Sequence, residues 1–121
     1  MEPTYFVWKR LEEERHRQTR LAQARQAAWE CAHRLYETYG VQRVYLIGSV
    51  ARGTFFHERS DIDLVVEGLP PQRYFQALAD LWRRLPPGME LDLIPLEDAH
   101  PELRALVLQE GVVLDEPVCR A

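Results

Sequence analysis

The chain has 121 residues, 46% of them hydrophobic and 28% charged, and a formal net charge of −4. That length and composition support one packed domain and exclude both a disordered polymer and a second module of comparable size. The acidity offers no bulk attraction for nucleic acid, and no apolar run reaches the roughly 20 residues of a membrane helix.

The N-terminus, Glu2-Pro3 and then charge from Lys9, lacks the basic-then-apolar order of a signal peptide, so a cytoplasmic location is expected. Residues 9–39 contain neither Gly nor Pro and are rich in Ala, Leu, Arg, Glu and Gln, which predicts a long helix. From Leu21 the positions Leu21, Ala24, Ala28, Cys31, Leu35 and Tyr39 advance by three or four and form one apolar stripe, closed by Gly40 as a cap. Residues 9–20 carry hardly any stripe beyond Trp8 and Leu11. They are expected to project, fray or await a partner. The division is therefore a charged helical extension over 1–20, a domain over 21–116 and a tail over 117–121. Residues 9–34 hold seven basic against four acidic residues, a net +3 that leaves −7 for the rest. A solvated helix face is the leading reading of this block, with an acidic protein partner next. Cys31 and Cys119 show neither metal-ligand spacing nor a disulfide framework and are read as reduced thiols.

Val41 to Ile47 is an apolar, β-branched run that enters a turn at Gly48, as a buried strand should. Residues 53–60 form a loop with Phe55 and Phe56 near its tip, read as a contact surface for a partner or an adenine ring. Asp61 to Val66 is a second strand. Tyr74, Phe75, Leu78, Leu81, Trp82 and Leu85 then recur at helical spacing, with Tyr74 and Trp82 read as core. Glu90 to Ile94 is a short third strand ended by Pro95. Asp98 to Gln109 is a last helix with Leu103, Leu106 and Val107 inward, and Val112 to Leu114 adds an edge strand. The sum is a mixed α/β domain. His16, His33, His57 and His100 lack ligand spacing and are read as surface residues, with His57 alone near the site.

The chemistry gathers in two stretches, Gly48-Ser49-Val50-Ala51-Arg52-Gly53 and Ser60-Asp61-Ile62-Asp63-Leu64. Side chains alternate along a strand, so Asp61 and Asp63 share a face about 6.6 Å apart while Ile62 and Leu64 face the core. Asp92, in Leu91-Asp92-Leu93-Ile94, has the same alternation. If its strand lies beside the second, about 4.8 Å away, three carboxylates converge. Uncompensated acids repel, and hard oxygen donors suit Mg²⁺ or Mn²⁺. Two such ions about 3.5 to 4 Å apart stabilise the entering and leaving oxygens of an in-line phosphoryl displacement. Gly48 lets backbone N–H groups approach phosphate, Ser49 adds a hydroxyl, and Arg52 offers a fixed cation for pyrophosphate.

These residues, with the closing Glu110-Gly111-Val112-Val113-Leu114, resemble the signature of the DNA polymerase beta-like nucleotidyltransferase superfamily, and within it the short prokaryotic minimal nucleotidyltransferases. The similarity covers about residues 28–115. It implies a nucleotidyltransferase fold, a mixed sheet of three to four strands flanked by helices, here with a long N-terminal helix. It implies that Gly48 and Ser49 hold the triphosphate, that Asp61 and Asp63 ligate both metals, and that Asp92 is the third ligand and serves the attacking hydroxyl. Arg52 matches a frequent family arginine. The resemblance further implies ATP as substrate, Mg²⁺ as cofactor, and a HEPN-domain toxin as protein partner in a hetero-oligomer, AMP passing to a tyrosine of that partner. The departures are the charged helix before Leu21 and a Gly-Ser to Asp-x-Asp spacer about one residue longer than usual. Alternative readings are a binding module that neutralises its partner by steric contact, or transfer to a small molecule or RNA. The net acidity and the lack of an acceptor domain count against the last two.

Overall fold

A computed structural model describes residues 3–53 and 61–115. Phe55, Phe56, His57, Ser60 and Cys119 lie outside the described residues. Among the described residues the elements run α1 (Pro3–Tyr39), β1 (Arg43–Ile47), α2 (Gly48–Arg52), β2 (Ile62–Glu67), α3 (Tyr74–Trp82), β3 (Leu91–Pro95), α4 (Pro101–Glu110) and β4 (Val112–Leu114), with short 3-10 turns at Pro71–Arg73 and Leu96–Asp98.

The sheet order is β3-β2-β1-β4. β1 is antiparallel to β2 and to β4, while β3 is parallel to β2. A parallel pair needs a crossover, and α3 supplies it. The mixed α/β architecture expected from the sequence is thus present. One sheet face, with Val44, Leu46, Leu64, Val66, Leu91 and Leu93, packs on α1 and α3. The other face, with Tyr45, Ile47 and Val65, meets Val107 of α4.

All six stripe residues of α1 are buried, and Gly40 at φ 65 ends the helix. α1 starts at Pro3 rather than Lys9, since proline is tolerated in a first helical turn. Tyr5, Phe6, Val7, Trp8 and Leu11 are each more than half exposed, so this first part projects from the packed layers. The helix passes residues 20 and 21 unbroken, and burial begins at Leu21. Tyr36 ties α1 to the sheet: its hydroxyl accepts from Val44 N–H at 2.9 Å and donates to Leu114 C=O at 2.7 Å. No helix among the described residues is long and apolar enough to cross a membrane.

Several residues depart from their expected places. Phe75 is 80% exposed and Trp82 44%, although the helical spacing put both on an inner stripe. The cause is the position of α3 beside β3, an edge strand. The Trp82 indole N–H donates to Leu91 C=O at 3.0 Å and the Tyr74 hydroxyl to Leu93 C=O at 2.7 Å, so both rings cover edge carbonyls, Tyr74 while packing on the core as expected and Trp82 with much of its ring exposed. Leu106 is also exposed, because α4 turns only Val107 and Leu103 onto the sheet. The basic block is not simply solvated. Arg34 donates to buried Asp80 at 2.8 Å, joined by Tyr39 and Arg84, and Arg17 and Arg25 turn towards α2. His16, His33 and His100 are exposed, and Cys31 is a free buried thiol pushed up to about 12 by burial.

Candidate active site

Strand register decides which acids meet. Ile47 of β1 pairs with Asp63 of β2, and Asp63 pairs with Asp92 of β3. Paired residues share a sheet face. Asp63 and Asp92 therefore stand side by side at the end of the face that α4 covers, one step beyond Tyr45, Val65 and Ile94. The Asp92 carboxyl is near enough to act on Asp63 through its charge and as a hydrogen-bond partner. Asp61 sits just before β2 and acts on Asp63 through its charge. Burial first, then the charges of Asp92 and Asp61 and the hydrogen bond with Asp92, push the Asp63 carboxyl up to about 6. Tyr74 is raised as well, by burial and then by the charge of Asp92.

Among the described residues no three His, Cys, Asp or Glu side chains are drawn close enough to grip an ion as they stand. The structure brings Asp63 and Asp92 into contact and keeps Asp61 within electrostatic reach. The donor chemistry nonetheless fits a hard divalent cation: the groups are all carboxylate oxygens, and Asp63, raised first by burial, also feels the charges of Asp92 and Asp61, which a cation would offset.

β1 runs directly into α2. Ile47 is still extended at φ −126 and Gly48 turns the chain at φ 81. A Cβ on Gly48 would stand 2.7 Å from Oδ2 of Asp63. Glycine takes the left-handed φ without strain and leaves the space beside that acid unfilled. Ser49 follows, partly buried, in the first turn of α2, while Arg52 is exposed in the last turn, about 5 Å farther along the axis.

Two features escaped the sequence. Arg25 of α1 donates from Nε to Val50 C=O at 3.0 Å and from Nη2 to Ala51 C=O at 3.3 Å, holding α2 from its far end. Its one sequence signal is its place beside the buried stripe, directly after Ala24. The second is a cavity of about 670 Å³ between α3 and β3, lined by Tyr74, Phe75, Leu78 and Trp82 among others, with Asp92 its one charged residue among the described residues. That cavity brings open apolar surface up to the acid pair.

The family described as Polymerase beta, Nucleotidyltransferase matches residues 30–117. No curated protein matches the chain. Among solved structures, the crystal structure of a toxin-antitoxin with AMP-PNP is similar at 26% identity and a TM-score of 0.59, over 74% of this chain and 73% of that one. A crystal structure of a mutant toxin-antitoxin MntA-HpeT is similar at 26% identity and a TM-score of 0.54, over 69% and 67%. A structure of a candidate minimal nucleotidyltransferase is similar at 32% identity and a TM-score of 0.58, over 72% of this chain and 89% of that one.

Proposed function

The chain belongs to the polymerase beta nucleotidyltransferase family, and from that premise we propose that it transfers AMP from ATP to a tyrosine hydroxyl of a partner protein, a HEPN-domain toxin for which it is the antitoxin. The observation that carries this reading is the Asp63–Asp92 pair at the strand ends, with the Gly48 turn beside Asp63. Similarity to toxin-antitoxin structures, one of them with AMP-PNP, supports the partner class and the nucleotide.

Gly48 and Ser49 hold the triphosphate, through backbone N–H groups and the Ser49 hydroxyl. Arg52 sits one turn on and meets the departing pyrophosphate. Asp61, Asp63 and Asp92 would hold Mg²⁺, in two sites, with Mn²⁺ as the alternative; the bound cations supply charge neutralisation at the α-phosphate and lower the pKa of the attacking hydroxyl. Asp92 stands nearest the cavity beside α3, so the acceptor hydroxyl enters there and Asp92 orients it and takes its proton. The hydroxyl oxygen forms a bond to the α-phosphorus, the bond to the bridging oxygen breaks, and pyrophosphate leaves. No covalent bond to this chain forms, so its contribution is positioning and electrostatics.

The test incubates the protein with labelled ATP, Mg²⁺ and the product of its adjacent gene. AMP on a tyrosine of that product, lost in the double variant Asp61→Ala, Asp63→Ala, is expected. Neutralisation of the partner without label, equal in wild type and double variant, would sink the enzymatic reading in favour of steric binding.

A further inference from the structure

The segment that carries Gly48 and Ser49 is a helix of five residues, Gly48–Arg52. A helix this short does not hold itself, since nucleation is costly and helices under about 12 residues are marginal in water. Its hold must come from elsewhere. Val50 is fully buried on one side, and Gly53 N–H closes the last turn on Ser49 C=O at 2.8 Å. The remaining grip comes from α1. The planar guanidinium of Arg25 spans two successive carbonyls, Val50 at 3.0 Å and Ala51 at 3.3 Å, and Arg17 reaches Gly53 C=O at 3.5 Å. These carbonyls belong to the end of α2 whose C=O groups lack intrahelical partners, where a cation is also favoured by the backbone dipoles.

Gly53 is built around the same contact. A Cβ there would stand 2.8 Å from Nη2 of Arg25, so the glycine leaves room for the guanidinium as well as taking φ 76. At the opposite end, the space a Cβ on Gly48 would need is taken by the Asp63 carboxylate. A short rod with a carboxylate beside its first residue and two carbonyls of its last turn gripped by a cation has little freedom to slide. Arg25 also lies before residue 30, where the family match begins, so the family pattern assigns it nothing.

We infer that Arg25 is a positioning residue for the nucleotide site: by holding the Val50 and Ala51 carbonyls it sets where Gly48 and Ser49 lie, without touching substrate. The inference rests on the reading of Gly48 and Ser49 as triphosphate holders; the grip on α2 does not. A segment that wanders lowers the fraction of molecules able to bind, which weakens ground state and transition state alike. The loss therefore falls on KM and Kd for ATP rather than on kcat.

The experiment uses the full chain as wild type, Arg25→Met, Arg25→Lys and Arg15→Met, the last altering an exposed arginine of α1 paired with Glu12. Amide hydrogen exchange over residues 49–53 is read without ligand, and ATP binding by calorimetry and turnover with Mg²⁺. In Arg25→Met, exchange over 49–53 rises about tenfold, ATP binds about five- to tenfold more weakly, and kcat stays within about twofold. Arg25→Lys, with one charged donor in place of the fork, recovers part of both losses, and Arg15→Met matches wild type. Unchanged exchange in Arg25→Met overturns the inference, and so does faster exchange with unchanged ATP affinity. A wild-type chain that binds no ATP removes the reading of Gly48 and Ser49 and the inference with it. That result is told apart from a failure of Arg25 because it appears before any substitution.

Discussion

Gly48 answers to two demands at once, a left-handed φ of 81 and the closeness of Asp63. Gly48→Ala should therefore cost about 1–2 kcal/mol in conformation alone, and it should also push the Asp63 carboxyl off its place beside Asp92. Transfer should fall by at least about tenfold while the fold persists, since a loss of 1.4 kcal/mol in positioning already accounts for that factor. Urea unfolding and labelled-ATP transfer measured on the same preparation check this. An alanine variant with wild-type turnover would mean that the contact has slack. The Gly-Ser turn and the Asp-x-Asp pair were legible as a phosphate and metal pattern because glycine next to a hydroxyl and alternating carboxylates have direct chemical meanings. The glycine's contact with Asp63 was not legible, because it joins positions 48 and 63 through register rather than through spacing.

At the scale of elements, the layers hold where sequence periodicity could not point. Asp80 of α3 is 4% exposed and receives Arg34 and Tyr39 of α1 as well as Arg84. Burial alone would raise this carboxyl, but the hydrogen bonds from Arg34, Tyr39 and Arg84 outweigh it and hold it below the ordinary carboxylate range. An acid depressed in the folded state adds stability above its unfolded pKa, near 4, and loses that contribution as pH falls through the folded value. Asp80→Asn should thus cost about 3 kcal/mol at pH 7, at the lower end for a broken buried pair because the arginines stay partly solvated. The cost should start to fall at about pH 4 and disappear only once pH has dropped below the depressed folded value, so that wild-type and variant unfolding curves approach each other at the acid end of the range. A constant difference from pH 7 to pH 2 would assign the effect to packing instead. The α1 stripe from Leu21 to Tyr39 was readable because helix burial repeats every three or four residues. The Arg34–Asp80 clamp joins residues 46 positions apart, and an acid in an amphipathic helix reads as solvent-facing until its partner helix is in view.

For the molecule as a whole, Asp92 of the acid pair opens onto the cavity beside α3, the place from which an acceptor would reach it on the proposed reading. The helical spacing read Trp82 as core and placed Phe75 on the same stripe; the edge position of β3 turns both outward. Among the described residues the cavity lining holds no cation and one acid, Asp92. A polyanionic acceptor such as an RNA end would meet no compensating charge there, whereas an uncharged aromatic hydroxyl can stack on Phe75 with its oxygen directed at Asp92. Phe75 is the clean probe, since it is 80% exposed and its one ring contact among the described residues is edge-on to Tyr74 at 5.2 Å. Phe75→Ala should leave unfolding within about 0.5 kcal/mol of wild type. It should leave ATP affinity unchanged and raise KM for the partner protein about tenfold, a loss of about 1.4 kcal/mol typical of one exposed aromatic anchor. Trp82→Phe should do more than this, because it also frees the Leu91 carbonyl from its indole donor. Steady-state transfer at varied partner and at varied ATP separates the two dependences. An increase in KM for ATP with none for the partner would move Phe75 to the nucleotide side of the site and leave the acceptor to approach from another face of Asp92.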